Sequence, residues 1–142
     1  MAKRPSALTG GCRCGAIRYR ATGRPLWVVH CHCASCRRAT GAAFATYAGF
    51  RDTNVEFTKG KPKRFASSPG VARSFCAACG SPLAFQGGRW PGETHILVAS
   101  LDDPGVLRPQ AHVFFGEHLK WLDLADGLPR FRTTASAGPP LP

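Results

Sequence analysis

The sequence predicts a mostly β protein of a single domain, built from short strands joined by tight turns. Three observations carry that prediction. Sixteen glycines and twelve prolines are scattered through the 142 residues rather than clustered, which suits frequent turns and disfavours a helical bundle. Segments such as 16–20 and 71–75 alternate apolar and polar side chains, the period of a half-buried strand. Hydrophobic residues make up 44% of the chain, enough for one core at this length and too many for a disordered chain.

Taken in order, residues 1–9 read as a loose basic arm, 10–132 as the domain proper, and 133–142 as a low-complexity tail without order. The domain opens on Gly10-Gly11-Cys12-Arg13-Cys14-Gly15 and continues as a strand over 16–20. Cys12 and Cys14 are two apart, so extended chain sends both side chains to one face, and the flanking glycines let the backbone approach an ion. Arg24-Pro25 is a turn, after which 26–33 is rich in strand formers and delivers His30-Cys31-His32-Cys33. Residues 42–50 form a further strand, and short exposed strands over 54–58 and 62–65 flank a Lys59-Gly60-Lys61 turn. The strand 71–75 runs into Cys76-Ala77-Ala78-Cys79-Gly80-Ser81-Pro82, a zinc knuckle by its spacing. Strands over 83–86, 95–101 and 111–115 follow, with Asp102-Asp103-Pro104-Gly105 as a stop and 117–124 as a short helix or turn carrying Trp121.

No run of about 18 apolar residues exists, so nothing is expected to span a membrane. The first ten residues are basic and lack an apolar core, so no secretory signal is read, and a cytoplasmic protein is expected. The formal charge of +11 suggests nucleic acid at first sight. Seven thiolates around two divalent ions would lower it by three, to +8, and the rest is spread from Lys3 to Arg132 without a block of like charge. A solvated basic surface that attracts small anions is the plainer reading.

Seven cysteines in such a chain argue for metal rather than disulfides, since the count is odd and includes two C-x-C pairs. They fall into groups 12/14, 31/33/36 and 76/79. The economical partition is four plus three. Cys12, Cys14, Cys76 and Cys79 would close a structural site, while Cys31, Cys33 and Cys36 would leave one position free for chemistry. A rival pairing joins Cys33 and Cys36 to Cys76 and Cys79, and strands the other three thiols. An open three-thiolate zinc is a weak Lewis acid, yet it accepts a further sulfur and favours its thiolate. It is also easily oxidised or stripped. Arg37 and Arg38 follow at once and stand ready for substrate carboxylates or for ordinary surface pairing. His30 and His32 face away from Cys31 and Cys33 on a regular strand, and read as core or supporting histidines rather than ligands.

The motifs Gly11-Cys12-Arg13-Cys14-Gly15, His30-Cys31-His32-Cys33-Ala34-Ser35-Cys36-Arg37-Arg38-Ala39-Thr40-Gly41 and Phe75-Cys76-Ala77-Ala78-Cys79-Gly80-Ser81-Pro82 together resemble the glutathione-dependent formaldehyde-activating enzyme family, which includes centromere protein V. The stretch 95–103, His112 and 121–131 are similar to its C-terminal half. The resemblance implies an Mss4-like, mostly antiparallel β fold with two zinc ions. It implies a structural zinc on Cys12, Cys14, Cys76 and Cys79, and a second, catalytic-type zinc on Cys31, Cys33 and Cys36. It also implies a carbon–sulfur lyase-type activity joining glutathione and formaldehyde as S-hydroxymethylglutathione. His32, His95 and His112 are the candidates for a general acid. The competing class is a zinc-stabilised module that binds nucleic acid or protein. Against nucleic acid, the sequence shows neither a basic patch interleaved with aromatics nor a recognition helix.

Overall fold

A computed structural model describes residues 5–142. Its elements, in chain order, are β1 (Ala7–Gly11), β2 (Arg18–Thr22), β3 (Trp27–Cys31), α1 (Ala34–Thr40), β4 (Ala45–Arg51), β5 (Val55–Lys59), β6 (Lys63–Ser68), β7 (Val71–Phe75), β8 (Pro82–Gly87), β9 (Glu93–Leu97) and β10 (Ala111–Val113), with short 3-10 turns between some of them. The fold is mostly β. The described chain divides into two compact units, residues 5–26 with 48–107 and residues 27–47 with 108–142.

In the first unit β1, β2 and β5 form a three-stranded antiparallel sheet. Strands β9, β8, β7 and β6 are neighbours in that order. Alternation in the sequence sets which side chains are buried. Leu8, Tyr19 and Ala21 point inward from β1 and β2, and Leu83 and Ile96 do so from β8 and β9. Tyr19 is 1% exposed and ends in a 2.6 Å hydrogen bond with the Ser100 hydroxyl. Gly10 sits so close that a Cβ there would lie 2.5 Å from the Tyr19 hydroxyl, which is why β1 carries glycine at that point. Arg18 forks onto Asp102, with Nη1 donating to Oδ1 at 2.9 Å, and the Thr9 hydroxyl donates to Oδ2 at 2.6 Å. These bonds, Arg18 first, hold the Asp102 carboxyl below the usual carboxylate range.

In the second unit β10 runs parallel to β3, with His112 opposite His30. The segment 129–133 continues the hydrogen bonding past β10: the His112 N–H donates to the Pro129 carbonyl at 2.9 Å, and the Phe131 N–H to the His112 carbonyl at 2.8 Å. His32, His112 and Phe115 are buried here.

Three expectations change. Residues 1–4 of the arm lie outside the described residues, but residues 7–9 belong to β1, where Leu8 is buried. The turn expected after Cys33 is a helix of seven residues. It is too short to show a 3.6-residue apolar period, and its start is set by a cysteine sulfur that accepts the Cys36 N–H, a cap no propensity scale anticipates. Gly41 ends it in the left-handed region at φ 66°, its N–H returning to the Arg37 carbonyl. The tail, expected to lack order, folds back: the Leu141 N–H donates to the Arg130 carbonyl at 2.7 Å. Of 117–124, the structure gives a single 3-10 turn over Phe115–Glu117 and a turn closed by Leu122 N–H on the Leu119 carbonyl.

Candidate metal centres

Strand β1 ends at Gly11, and the chain then turns on itself: the Gly15 N–H reaches the Cys12 carbonyl at 3.2 Å, with Gly15 at φ 81°. Strand β7 ends in a matching turn, where the Gly80 N–H reaches the Cys76 carbonyl at 2.8 Å. The two turns are tied together by the Arg13 N–H, which donates to the Ser81 hydroxyl oxygen at 3.0 Å. As a result the Sγ atoms of Cys12, Cys14, Cys76 and Cys79 all lie within 4.8 Å of one another. Cys12 and Cys14 are separated by 3.6 Å, and Cys14 and Cys76 by 3.8 Å. A tetrahedron with metal–sulfur bonds of about 2.3 Å has edges of about 3.8 Å, so the donor set has the size of a zinc site. The Ile17 N–H points at Cys12 Sγ from 3.2 Å. Ser81, by its hydroxyl and then its N–H, brings the Cys79 thiol down to about 5. Donors aimed at sulfur are what a thiolate ligand needs.

The second centre lies within the other unit. Cys31 is the last residue of β3, Cys33 caps α1, and Cys36 is in the first turn of that helix. The change from strand to helix over two residues brings three sulfurs to one point. Cys31 Sγ is 3.5 Å from Cys33 Sγ and 3.6 Å from Cys36 Sγ. Cys31 and Cys36 are 6% and 7% exposed. The neighbouring sulfurs of Cys33 and Cys36, and then burial, push the Cys31 thiol far above its ordinary range. Three thiolates can coexist there only around a cation, and the donor set fits one. Both clusters can therefore hold a metal ion. The rival pairing of Cys33 and Cys36 with Cys76 and Cys79 is not the arrangement found.

The histidines named from the sequence divide into two sets. His30 meets the Thr46 hydroxyl through Nδ1 at 2.7 Å, and burial lowers its basicity. His32 is 0% exposed, and its Nε2 lies 2.8 Å from His112 Nδ1. His112 is also 0% exposed, and its Nε2 lies 2.8 Å from Asp126 Oδ2. The other Asp126 oxygen accepts the Leu128 N–H at 3.0 Å. Burial works to raise the Asp126 carboxyl, but the Leu128 and His112 bonds outweigh it and keep it below the usual range. Neither His30 nor His32 joins a metal-ligand group. His95 belongs to the first unit, where its Nε2 pairs with Glu93 at 2.8 Å and its ring stacks on Phe85. Arg37 and Arg38 occupy the last turn of α1, where positive charge suits the carbonyl end of a helix.

Sequence reasoning missed Asp126, Thr46 and Glu117, whose carboxylate accepts the Ala34 N–H at the start of α1 at 3.4 Å. Glu117 lies more than eighty residues from Ala34, and Asp126 meets His112 across a separation of fourteen residues that no local pattern marks.

Comparison with known proteins agrees with this geometry. Residues 7–117 match the family described as glutathione-dependent formaldehyde-activating enzyme. A Halomonas elongata protein provisionally named a glutathione-dependent formaldehyde-activating enzyme is 29% identical, over 82% of this chain and 80% of its own. A crystal structure of a Rhodobacter sphaeroides protein superposes with a TM-score of 0.57 at 26% identity, covering 66% of this chain and 87% of that one. A match that runs from β1 past the three-cysteine centre to Glu117 shows that the chain belongs to the glutathione-dependent formaldehyde-activating enzyme family.

Proposed function

We propose that the chain joins glutathione to formaldehyde as S-hydroxymethylglutathione, with zinc in both cysteine clusters. The observation that carries this reading is the split of the sulfurs, four in one cluster and three in the other. Four thiolates complete a tetrahedron, so the first cluster has a structural role. Three leave a position free, and thiolate ligands make that position better suited to a sulfur than to a hydrolytic water. When bound there, zinc would supply the chemistry of keeping an incoming thiol as thiolate. The chain's own part is to hold Cys31, Cys33 and Cys36 at the junction of β3 and α1 and to present Arg37 and Arg38 to the carboxylates of glutathione. In the overall reaction a bond forms between the thiol sulfur and the aldehyde carbon, the carbon–oxygen double bond becomes single, and the thiol proton ends on that oxygen. No atom is oxidised or reduced.

None of the seven cysteines is joined in a disulfide, and no helix among the described residues is long and apolar enough to cross a membrane. A reducing, cytoplasmic setting fits that thiol chemistry.

The test is the exchange rate between formaldehyde and its glutathione adduct, followed by NMR. It is run without protein, with the zinc-loaded protein, and with zinc-loaded Cys36→Ser. Acceleration that disappears in the variant supports the reading. A rate equal to the spontaneous one, with two zinc ions bound per chain, removes it.

A further inference from the structure

We propose that His112 and Asp126 are positioning residues for the three-cysteine centre, acting through His32. The inference rests on the reading above that this centre binds a metal.

His32 lies between two of the three ligands in the chain, so the placement of its ring constrains the main chain that carries Cys31 and Cys33. That ring is fixed from several sides. Its Nε2 meets His112, the Phe44 and Phe115 rings pack on it with centroids 5.2 and 5.0 Å away, and the His32 main-chain N–H donates to the Val113 carbonyl at 3.1 Å. His112 is held in turn by Asp126, whose two oxygens are each committed, one to His112 and one to the Leu128 N–H. The direction of the hydrogen bonds follows from the carboxylate, which only accepts. The His112 Nε2–H donates to Asp126. With hydrogen on Nε2 alone, His112 accepts at Nδ1 and His32 Nε2–H is the donor there. His32 Nδ1 is left as a buried nitrogen with no partner. A fold that tolerates such an orphan does so for the sake of the ring's other contact, because an unpaired buried polar atom costs about 1–3 kcal/mol. Carboxylate–histidine pairs behind metal ligands are a general device for orienting them. In this chain the device reaches the ligands through the backbone on either side of His32.

The experiment uses the full zinc-loaded chain at pH 8. Zinc release from each centre is measured by competition with a chromophoric chelator, for the unaltered protein, Asp126→Asn and Asp126→Glu. Nitrogen-15 NMR of the imidazoles reads their tautomers. The unaltered chain is expected to show hydrogen on Nε2 of both His112 and His32. Asp126→Asn, whose amide can donate to His112, should shift that tautomer. It should also weaken one zinc of the two about 10–100-fold, leave the other unchanged, and be largely rescued by Asp126→Glu. Equal retention of both ions in Asp126→Asn refutes the proposal. So does weakening of both together with a lower melting temperature, which would mark a merely structural pair, and so does hydrogen on His112 Nδ1 in the unaltered protein. An unaltered chain that binds one zinc only defeats the metal reading of the centre itself, and the tautomer pattern separates that outcome from the others.

Discussion

Replacing one cysteine in each cluster should give two unlike failures, and their sizes can be worked out beforehand. Cys76 is 1% exposed and belongs to the four-sulfur cluster. That cluster ties the turn after β1 to the turn after β7, and apart from the Arg13–Ser81 hydrogen bond those turns are joined through sulfur. A closed zinc site contributes an apparent ~10–16 kcal/mol at neutral pH, while a domain's whole stability is ~5–15 kcal/mol. Cys76→Ser weakens the site by several orders of magnitude and so removes most or all of the first unit's stability. Cys36→Ser opens a cluster confined to the junction of β3 and α1, where the buried histidine chain and the β10–β3 pairing remain. Its cost should stay in the ordinary range of about 1–3 kcal/mol for a buried polar substitution. The assay is bound zinc per chain with thermal unfolding by circular dichroism. Cys36→Ser should retain one zinc and a cooperative transition, and Cys76→Ser should show no cooperative transition. A Cys76→Ser protein that melts like the unaltered chain would refute the assignment of the four-sulfur cluster as structural.

Gly10→Ala places a methyl group 2.5 Å from the Tyr19 hydroxyl and 2.6 Å from the Ser100 carbonyl, and overpacking of that kind should cost about 1–3 kcal/mol by chemical denaturation. Burial, opposed by the Ser100 hydroxyl, pushes the Tyr19 phenol up to about 12. Its stabilising contribution is therefore complete below the ordinary value of about 10 and is lost as pH climbs towards 12; a phenolate absorbance titration should show one of the two tyrosines ionising only in that late window. The Asp102 carboxyl is depressed, so the Arg18–Asp102 pair contributes above the ordinary carboxylate value and loses its effect as pH falls through the lowered one. With the Asp102 side chain 48% exposed, solvent limits the pair to under about 1 kcal/mol, and Asp102→Asn should lower the melting temperature by at most about 4 °C at pH 7 with the difference fading in strong acid.

Most strands were legible from alternation or from runs of strand-forming residues, and the clusters were legible because cysteine spacing reports metal geometry directly. Val71–Phe75 is found at its expected bounds. The errors have physical causes. Leu8 gives β1 one buried apolar residue among Ala, Thr and Gly, too weak a pattern to separate from an arm. Helix α1 depends on a cysteine sulfur cap that propensity scales do not anticipate, and on Glu117, more than eighty residues away and outside any local window. His32 and His112 both appeared in the sequence as candidates, but their mutual hydrogen bond and its anchor at Asp126 follow from β10 lying parallel to β3, a pairing across some eighty residues.

Local rules also fail in one place more than elsewhere, and that place is informative. Among the described residues two buried side-chain polar atoms lack a partner, His32 Nδ1 and Arg37 Nε, and they flank the Cys33–Cys36 turn in the sequence. Among the described residues Phe114 is the one other than glycine with positive φ, at 52°. An aromatic side chain in that conformation costs roughly 1–2 kcal/mol. Its N–H is held by the Thr133 carbonyl at 2.8 Å. The strained residue directly precedes Phe115, whose ring contacts His32 at 5.0 Å and His112 at 5.7 Å and stacks on His118 at 4.0 Å. Orphaned polar atoms and stored strain concentrate where a fold serves something besides its own stability. Here they gather around the histidine chain and the α1 turn of the second unit. The four-cysteine cluster, whose cysteine-bearing turns carry their positive φ on Gly15 and Gly80, has the relaxed backbone of a structural staple. The contrast supports the proposed role of Cys31, Cys33 and Cys36 on grounds independent of counting sulfurs.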